Sequence, residues 1–571
     1  VVNSMSEMLS QANDTLRNLF GFSEFRPNQK EIIEHVLSEK KLLAVMPTGA
    51  GKSLCYQIPA IVSSKRTIII SPLIALMDDQ VSSMKLLGVK VEKIHANIDR
   101  QEAIDAWLRF KNGESKIIYM SPERLMTEKM LQSLQSLDIG LFVIDEAHCI
   151  STWGHEFRPN YLKVKNIKRV FPDIPIAAFT ATATEKVNAD IRDILQLDAN
   201  TQIFQSSFIR NNLYLKIKSR GSKKEEVKEC LAEIASELKG KYLNQSAILY
   251  AFSRNKCEEL SNMLAELGIK TEFYHAGLSA KKRNEIQTSW LDGDLQIICA
   301  TIAFGMGIDK PDVRVVYHFN LPKTIEGYYQ EIGRGGRDGN RSDCIFYYNE
   351  NDPIVYKQMT DKKSKNIREN EGIYREKKLE MARNETQKMY DMIGYVENQT
   401  DCRHILLANY FGEKRKEKIG FCGDLCDNCV HYNKMKSEGV RLKKKDITGE
   451  CKQIIELIGS MKQPYRENVI RKLIGYPKKV PKRKLKKEVS SNWESYKKEY
   501  ETEKEEIMNH NQEYNLREKK IKRILIKLVV DKYLKIEIIK MGNGVYGSWK
   551  EKYLLYKKAQ KIINGEKKIK L

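Results

Sequence analysis

Two segments of this chain carry side chains that can hold and cleave a triphosphate, and they lie far apart. Thr48-Gly49-Ala50-Gly51-Lys52-Ser53 directly follows an apolar run at 42–45. The backbone N–H groups of such a turn, with the helix N-terminus behind it, hold phosphate oxygens. Lys52 would then reach the β- and γ-phosphates, and Ser53 would hold Mg²⁺. The strict glycine pattern asks for Gly where Met46 stands. The second segment is Gln330-Glu331-Ile332-Gly333-Arg334-Gly335-Gly336-Arg337. Arg334 and Arg337 are three apart, so both can face one cleft and stabilise charge on a transferring γ-phosphoryl group. An isolated arginine pair is more often a surface salt-bridge face; the surrounding glycine frame favours the phosphate role. An ATP site split in this way predicts two lobes that close around the nucleotide, the layout of a motor.

Two further groups carry chemistry. Leu141-Phe142-Val143-Ile144 reads as a buried strand ending in Asp145-Glu146-Ala147-His148. In an open parallel sheet, ligands bind at the carboxyl ends of the strands. There Asp145 would bind Mg²⁺ and Glu146 would orient and deprotonate the attacking water. An acidic helix cap is the plainer reading, less suited to this tetrad beside a phosphate turn. Cys402, Cys422, Cys426 and Cys429 form the one dense thiol group among 11 cysteines. Cys426-Asp427-Asn428-Cys429 is a knuckle, and four thiolates suit a closed tetrahedral Zn²⁺ site. The scatter of the other cysteines suits a reducing compartment rather than a disulfide framework.

These groups need a scaffold. Apolar runs at 42–46, 67–70, 116–120, 141–144 and 176–179 alternate with helical patterns, which predicts a parallel α/β lobe over 1–205. Runs at 247–250, 271–274, 295–299, 313–318 and 344–348 predict a second lobe over 206–350. A helical segment over 351–435 ends in the cysteines. The rest, 436–571, is lysine-rich, with a charged insertion near 477–520. Its amphipathic patterns at 447–461 and 467–474 predict helices, and 533–556 reads as β-rich around Gly542-Asn543-Gly544. With 571 residues, three or four domains are expected. The formal net charge is +23, which favours an acidic polymer as partner, nucleic acid first. No apolar run approaches the roughly 18 residues of a membrane span. The chain opens on Val1 rather than Met, as a piece of a longer protein would, and Val1-Val2-Asn3-Ser4 lacks the charged head of a signal peptide.

Asp145-Glu146-Ala147-His148 followed by Cys149-Ile150-Ser151-Thr152-Trp153-Gly154-His155-Glu156-Phe157-Arg158-Pro159 resembles the RecQ family of DNA helicases. So do Phe20-Gly21-Phe22, Phe25-Arg26-Pro27-Asn28-Gln29, Ser71-Pro72-Leu73, Ser121-Pro122-Glu123-Arg124 and Thr180-Ala181-Thr182-Ala183, over about residues 15–430. The resemblance implies two RecA-like lobes, then a helical zinc-binding subdomain and a winged-helix domain. It makes the loop with Trp153, Phe157 and Arg158 the element that couples DNA contact to hydrolysis. It implies that Gln29 pairs with the adenine edge, with Phe22 and Arg26 sandwiching the ring. Phe22 stands where the family often has Tyr, and Gly335 where it often has Ala. Thr301-Ile302-Ala303-Phe304-Gly305-Met306-Gly307-Ile308-Asp309-Lys310 resembles the family's coupling motif, in which Asp309 would sense nucleotide; Gln330 would help sense the γ-phosphate. Ala559-Gln560-Lys561-Ile562-Ile563-Asn564-Gly565 resembles the end of the winged helix of Bloom-type relatives, where a hairpin aromatic wedges the duplex. Tyr546 and Trp549 are candidates for that wedge, with ordinary core packing the equal alternative. Core packing is also the alternative for Trp153 and Phe157.

The expectation is thus an ATP-, Mg²⁺- and Zn²⁺-dependent 3′–5′ DNA helicase of RecQ type. It would act on single-stranded and duplex or branched DNA in replication, recombination and repair, with no membrane partner. Nuclear residence follows from the eukaryote-like winged helix. The rivals are an RNA-directed helicase with the same motor and a non-catalytic DNA-binding protein. The aromatic loop and zinc module speak against the first, and intact Lys52, Asp145, Glu146 and Arg337 against the second.

Overall fold

The computed structural model describes residues 4–151, 158–198, 200–221, 223–302, 304, 310–349, 352–353, 375–439 and 446–461, and beyond them parts of 469–473, 521–529, 533–541, 548–555 and 559–569. Trp153, Phe157, Asp309, Tyr546, the expected helix at 467–474 for the most part, and the charged stretch 477–520 lie outside the described residues. The chain divides into two compact units: Val1–Asp352 with Thr400–Asn433, and Pro353–Gln399 with Lys434–Leu571.

The first unit contains two parallel sheets. Sheet one comprises β1 (Leu42–Val45), β2 (Arg66–Ile70), β3 (Val91–Ile94), β4 (Ile117–Met120), β5 (Ile139–Ile144), β6 (Ile176–Thr180) and β7 (Gln202–Gln205). They lie in the order β3-β4-β2-β5-β6-β1-β7. β1, β4 and β6 are buried along their whole length, as expected of strands covered on both faces. Their side chains join Ile32, Tyr56 and Met77 from flanking helices in one core. The register Leu42↔Ala177 to Val45↔Thr180 sets β6 beside β1, and Phe142↔Ile176 sets it beside β5. One strand therefore separates the phosphate turn that follows β1 from the acidic pair that follows β5.

Sheet two comprises β8 (Leu213–Ser219), β9 (Ser246–Tyr250), β10 (Thr271–Tyr274), β11 (Ile297–Ala300), β12 (Val313–His318) and β13 (Ser342–Tyr348), in the order β10-β11-β9-β12-β13-β8. Between β12 and β13 runs the helix Ile325–Ile332, started by Thr324, whose hydroxyl accepts from Gly327 N. That helix delivers Gln330 and the arginine-bearing turn. Three strands had escaped the sequence reading: β3, β7 and β8. Each is outermost in its sheet.

The thiol-bearing segment is bonded to sheet two within the same unit. Leu215 N donates to Leu425 O at 2.9 Å, and Ile217 N donates to Asp427 Oδ2 at 2.9 Å. The second unit holds the helices Arg375–Glu397 and Thr448–Ser460 and an antiparallel pair, β14 (Leu534–Met541) with β15 (Ser548–Leu555). This pair is the β-rich stretch expected at 533–556. Trp549 lies in β15 opposite Lys540. Among the described residues no helix is long and apolar enough to cross a membrane.

Candidate nucleotide site and metal centre

The turn after β1 folds as a cradle. Gly49 and Gly51 have φ of +83° and +77°, a region that suits residues without Cβ. A Cβ on Gly51 would stand 2.3 Å from Gln29 Nε2. Gln29 is buried here: its Nε2 donates to Ala50 O at 2.9 Å, and its Oε1 accepts from Arg26 N at 2.8 Å. Arg26 bonds Gly49 O and lies 3.4 Å from Arg337 O, while Phe22 is exposed nearby in sequence.

Lys52 leaves the cradle toward the end of β5. Its Nζ lies 2.9 Å from Glu146 Oε1 and 3.9 Å from Asp145 Oδ1. Burial works against its charge, but the two carboxylates outweigh that and hold its pKa above the usual lysine value. Burial pushes the Asp145 carboxyl up, with Glu146 adding to it and Lys52 opposing. For Glu146 burial is outweighed by Lys52 and His148, which hold its carboxyl low. The three groups thus sit as one carboxylate firmly charged, one destabilised, and one lysine pinned between them.

A surrounding shell fixes the acids. The Tyr56 hydroxyl lies 3.2 Å from Asp145 Oδ2 and 3.0 Å from Gln80 Oε1, and Gln80 Nε2 donates to Ser53 Oγ at 3.1 Å. Ser53 and Asp145 are so tied through Gln80 and Tyr56. His148 Nδ1 lies 2.9 Å from Thr180 Oγ1 and 3.3 Å from Glu146 Oε2, which joins Glu146 to the Thr180-Ala181-Thr182-Ala183 segment. The Tyr161 hydroxyl bonds Asp145 O. Glu146 itself has φ +48°, unusual for a residue with a side chain and typical of strained functional positions. Arg158 N donates to Cys149 O at 3.0 Å and its Nη1 reaches Pro72 O, fastening the end of the aromatic loop to Ser71-Pro72-Leu73.

The second half-site arrives on the turn after Ile332. A Cβ on Gly333 would stand 2.8 Å from Thr48 Cβ, and a Cβ on Gly49 would stand 3.4 Å from Arg337 Cγ. The phosphate turn and the arginine turn are therefore in direct contact. Arg334 is buried, and Gln330 lies in the last turn of its helix. Sequence reasoning missed Tyr56, Gln80 and Tyr161, and also Arg210, whose guanidinium lies between the two turns. None of these belongs to a short pattern; an arginine in Ser207-Phe208-Ile209-Arg210-Asn211-Asn212 gives no signal by itself.

The sulfur atoms of Cys402, Cys422, Cys426 and Cys429 all lie within 4.8 Å of one another. Zn–S bonds of about 2.3 Å in a tetrahedron put sulfurs about 3.8 Å apart, so this donor set fits zinc. Gly420 N and Cys429 N point at Cys429 Sγ and Cys426 Sγ at 3.1 and 3.4 Å, the support that thiolates in a knuckle receive. Asp427 between them holds Arg403, and Asn428 Nδ2 donates to Asp401 O at 2.8 Å.

Three family models match the chain: DEAD/DEAH box helicase over residues 26–190, helicase conserved C-terminal domain over 223–339, and RecQ zinc-binding over 351–430. The chain is 40% identical over 456 residues to ATP-dependent helicase SGS1 of Saccharomyces cerevisiae, covering 78% of this chain and 30% of that protein. It is 36% identical over 450 residues to ATP-dependent DNA helicase Q1 of Rattus norvegicus, covering 78% of this chain and 67% of that one. It therefore spans under a third of the yeast relative and about two thirds of the rat one. In fold, it matches Mss116p bound to single-stranded RNA and AMP-PNP, with a TM-score of 0.51 and 18% identity over 61% of this chain and 74% of that one.

Proposed function

This chain belongs to the RecQ family of ATP-dependent DNA helicases, and from that premise we propose that it uses ATP hydrolysis to unwind duplex and branched DNA with 3′–5′ polarity. The observation that carries the reading is the Lys52–Glu146–Asp145 constellation set against an arginine-bearing turn of the other lobe. A non-catalytic DNA binder would have no need of that geometry.

The residues divide the work. Backbone amides of 48–53 hold the triphosphate, and Arg26 and Phe22 flank the adenine. Gln29 reads its edge by leaving Ala50 O for the base. The incoming γ-phosphate competes with Glu146 for Lys52. Glu146, no longer paired with Lys52, is then free to take a proton from the attacking water. Ser53 and Asp145 would hold Mg²⁺, which supplies charge neutralisation on the phosphates. Arg334 and Arg337 stabilise the charge that develops on the transferring group, with Gln330 and Asp309 sensing its presence. Closure and reopening of the lobes shift the grip on one DNA strand, and Trp153, Phe157 and Arg158 report DNA contact to Glu146.

Cys402, Cys422, Cys426 and Cys429 fold the zinc module. Residues 436–571 form a winged helix interrupted by the insertion near 477–520, with Tyr546 or Trp549 as strand-separating aromatic. The domain limits 1–205, 206–350 and 351–435 complete the layout, and the nucleus is the proposed site of action, in replication, recombination and repair. Unwinding measured on matched DNA and RNA duplexes tests the reading. DNA-only, ATP-dependent strand separation is expected; separation of RNA alone, or none with ATP uncleaved, would overturn it.

A further inference from the structure

Arg210 lies in the short connection between β7 and β8, which joins the two lobes. It is half-buried, and no ion pair with an acid is found for it among the described residues. Instead it spends its guanidinium on neutral acceptors. Nη1 donates to Thr48 O at 2.9 Å and to Gly333 O at 3.5 Å. Nη2 donates to Gly335 O at 3.1 Å and Gly336 O at 3.0 Å, and Nε donates to Asn212 Oδ1 at 3.3 Å. A guanidinium has five N–H donors in a rigid fork, and here all five have an acceptor.

The acceptors are not scattered. Thr48 O belongs to the phosphate turn. Gly333, Gly335 and Gly336 are the backbone that carries Arg334 and Arg337. Asn212 extends the brace: its Nδ2 donates to Gly336 O at 2.7 Å and to Asn340 O at 2.8 Å. Within the turn, Gly336 O also accepts from Gly339 N at 3.1 Å, and the backbone there is packed too closely for a side chain. A Cβ on Gly336 would lie 2.3 Å from Asn340 O. Burial, with Arg337 and Arg26 close by, lowers the pKa of Arg210.

We infer that Arg210 is a positioning residue for ATP hydrolysis: it fixes the arginine-bearing turn against the phosphate turn and so sets where Arg337 meets the γ-phosphate. Its donors are all engaged, so it acts through backbone carbonyls rather than by touching the nucleotide. The inference rests on the proposed ATPase reading and deepens it.

The test is steady-state, DNA-stimulated ATP hydrolysis by the full chain and by Arg210→Gln, Arg210→Lys, Arg337→Ala and the double variant Arg210→Gln/Arg337→Ala. Turnover by the unmutated chain, absent in Glu146→Gln, first establishes the ATPase independently. Arg210→Gln should then lower kcat roughly a hundredfold, the scale of a small misplacement of reacting groups, with KM for ATP little changed. Arg210→Lys should not rescue it, since one ammonium cannot bridge carbonyls on two turns. The double variant should be no slower than Arg337→Ala alone, because the two act as one unit. Multiplicative losses, rescue by lysine, or a loss confined to KM would each overturn the inference. If Arg210→Gln fails to fold, as judged by its zinc content and thermal midpoint, Asn212→Ala replaces it. That variant loosens the same turn and should show the same split; unchanged kcat would overturn the inference.

Discussion

Thr48 and Gly333 touch across the two lobes so closely that a single added methyl on the glycine would lie 2.8 Å from Thr48 Cβ. The contact joins the turn that cradles phosphate to the turn that carries the arginines. Gly333→Ala should therefore push the turns apart. Overpacking of this kind costs about 1–3 kcal/mol. DNA-stimulated ATPase should fall by about ten- to a hundredfold while affinity for single-stranded DNA is retained. Wild-type turnover in Gly333→Ala would show that the two turns need not meet during hydrolysis.

Glu146→Gln keeps the shape of the side chain and removes its ability to accept a proton. ATP and DNA should still bind. Turnover should fall by about a hundred- to ten-thousandfold, the usual contribution of a general base. A binding titration with a slowly hydrolysed ATP analogue, beside a phosphate-release assay, separates the two. Substantial hydrolysis would assign the water to another residue.

One Zn²⁺ per chain is expected, held by Cys402, Cys422, Cys426 and Cys429. Metal binding and folding are coupled in such modules, so Cys426→Ser should yield poorly soluble protein rather than a cleanly inactive enzyme. Elemental analysis of purified protein gives the stoichiometry. Zinc-free protein with full solubility and activity would contradict the assignment.

Removal of everything after about Lys445 should leave ATPase on single-stranded DNA largely intact, since Lys52, Glu146, Arg210 and Arg337 all precede the cut. Duplex binding should lose salt dependence, by about 0.9 in log–log slope for each phosphate contact removed. Unwinding should suffer far more than hydrolysis. If the shortened chain unwinds as well as the full one, the strand-separating element lies among the earlier residues.

What the sequence disclosed follows a physical boundary. Most interior strands announced themselves as apolar runs, such as β5 with Leu141-Phe142-Val143-Ile144. Of the four outermost strands only β10, at 271–274, was legible; β3, β7 and β8 were not. β3 is Val-Glu-Lys-Ile, and β7, Gln-Ile-Phe-Gln, is largely exposed, because one side of each is open and polar residues are tolerated there. The same boundary divides the site. Lys52, Asp145, Glu146 and the cysteines at 422, 426 and 429 sit in motifs a few residues long, so their spacing carries the signal. Arg210 and Tyr56 work by reaching backbone or side-chain atoms far along the chain, which only the folded structure brings near.

The join between the thiol-bearing segment and β8 has a further meaning. β8 ends its sheet, and a bare terminal strand offers its amides to any other extended chain. Here Leu425 O and Asp427 Oδ2 take the amides of Leu215 and Ile217. Asp427 stands between two of the proposed zinc ligands, so a metal held there would also keep this strand edge covered. Chelation should first make the protein sticky: β-rich aggregates, binding an amyloid-sensitive dye, should appear on stripping zinc and be suppressed by restoring it.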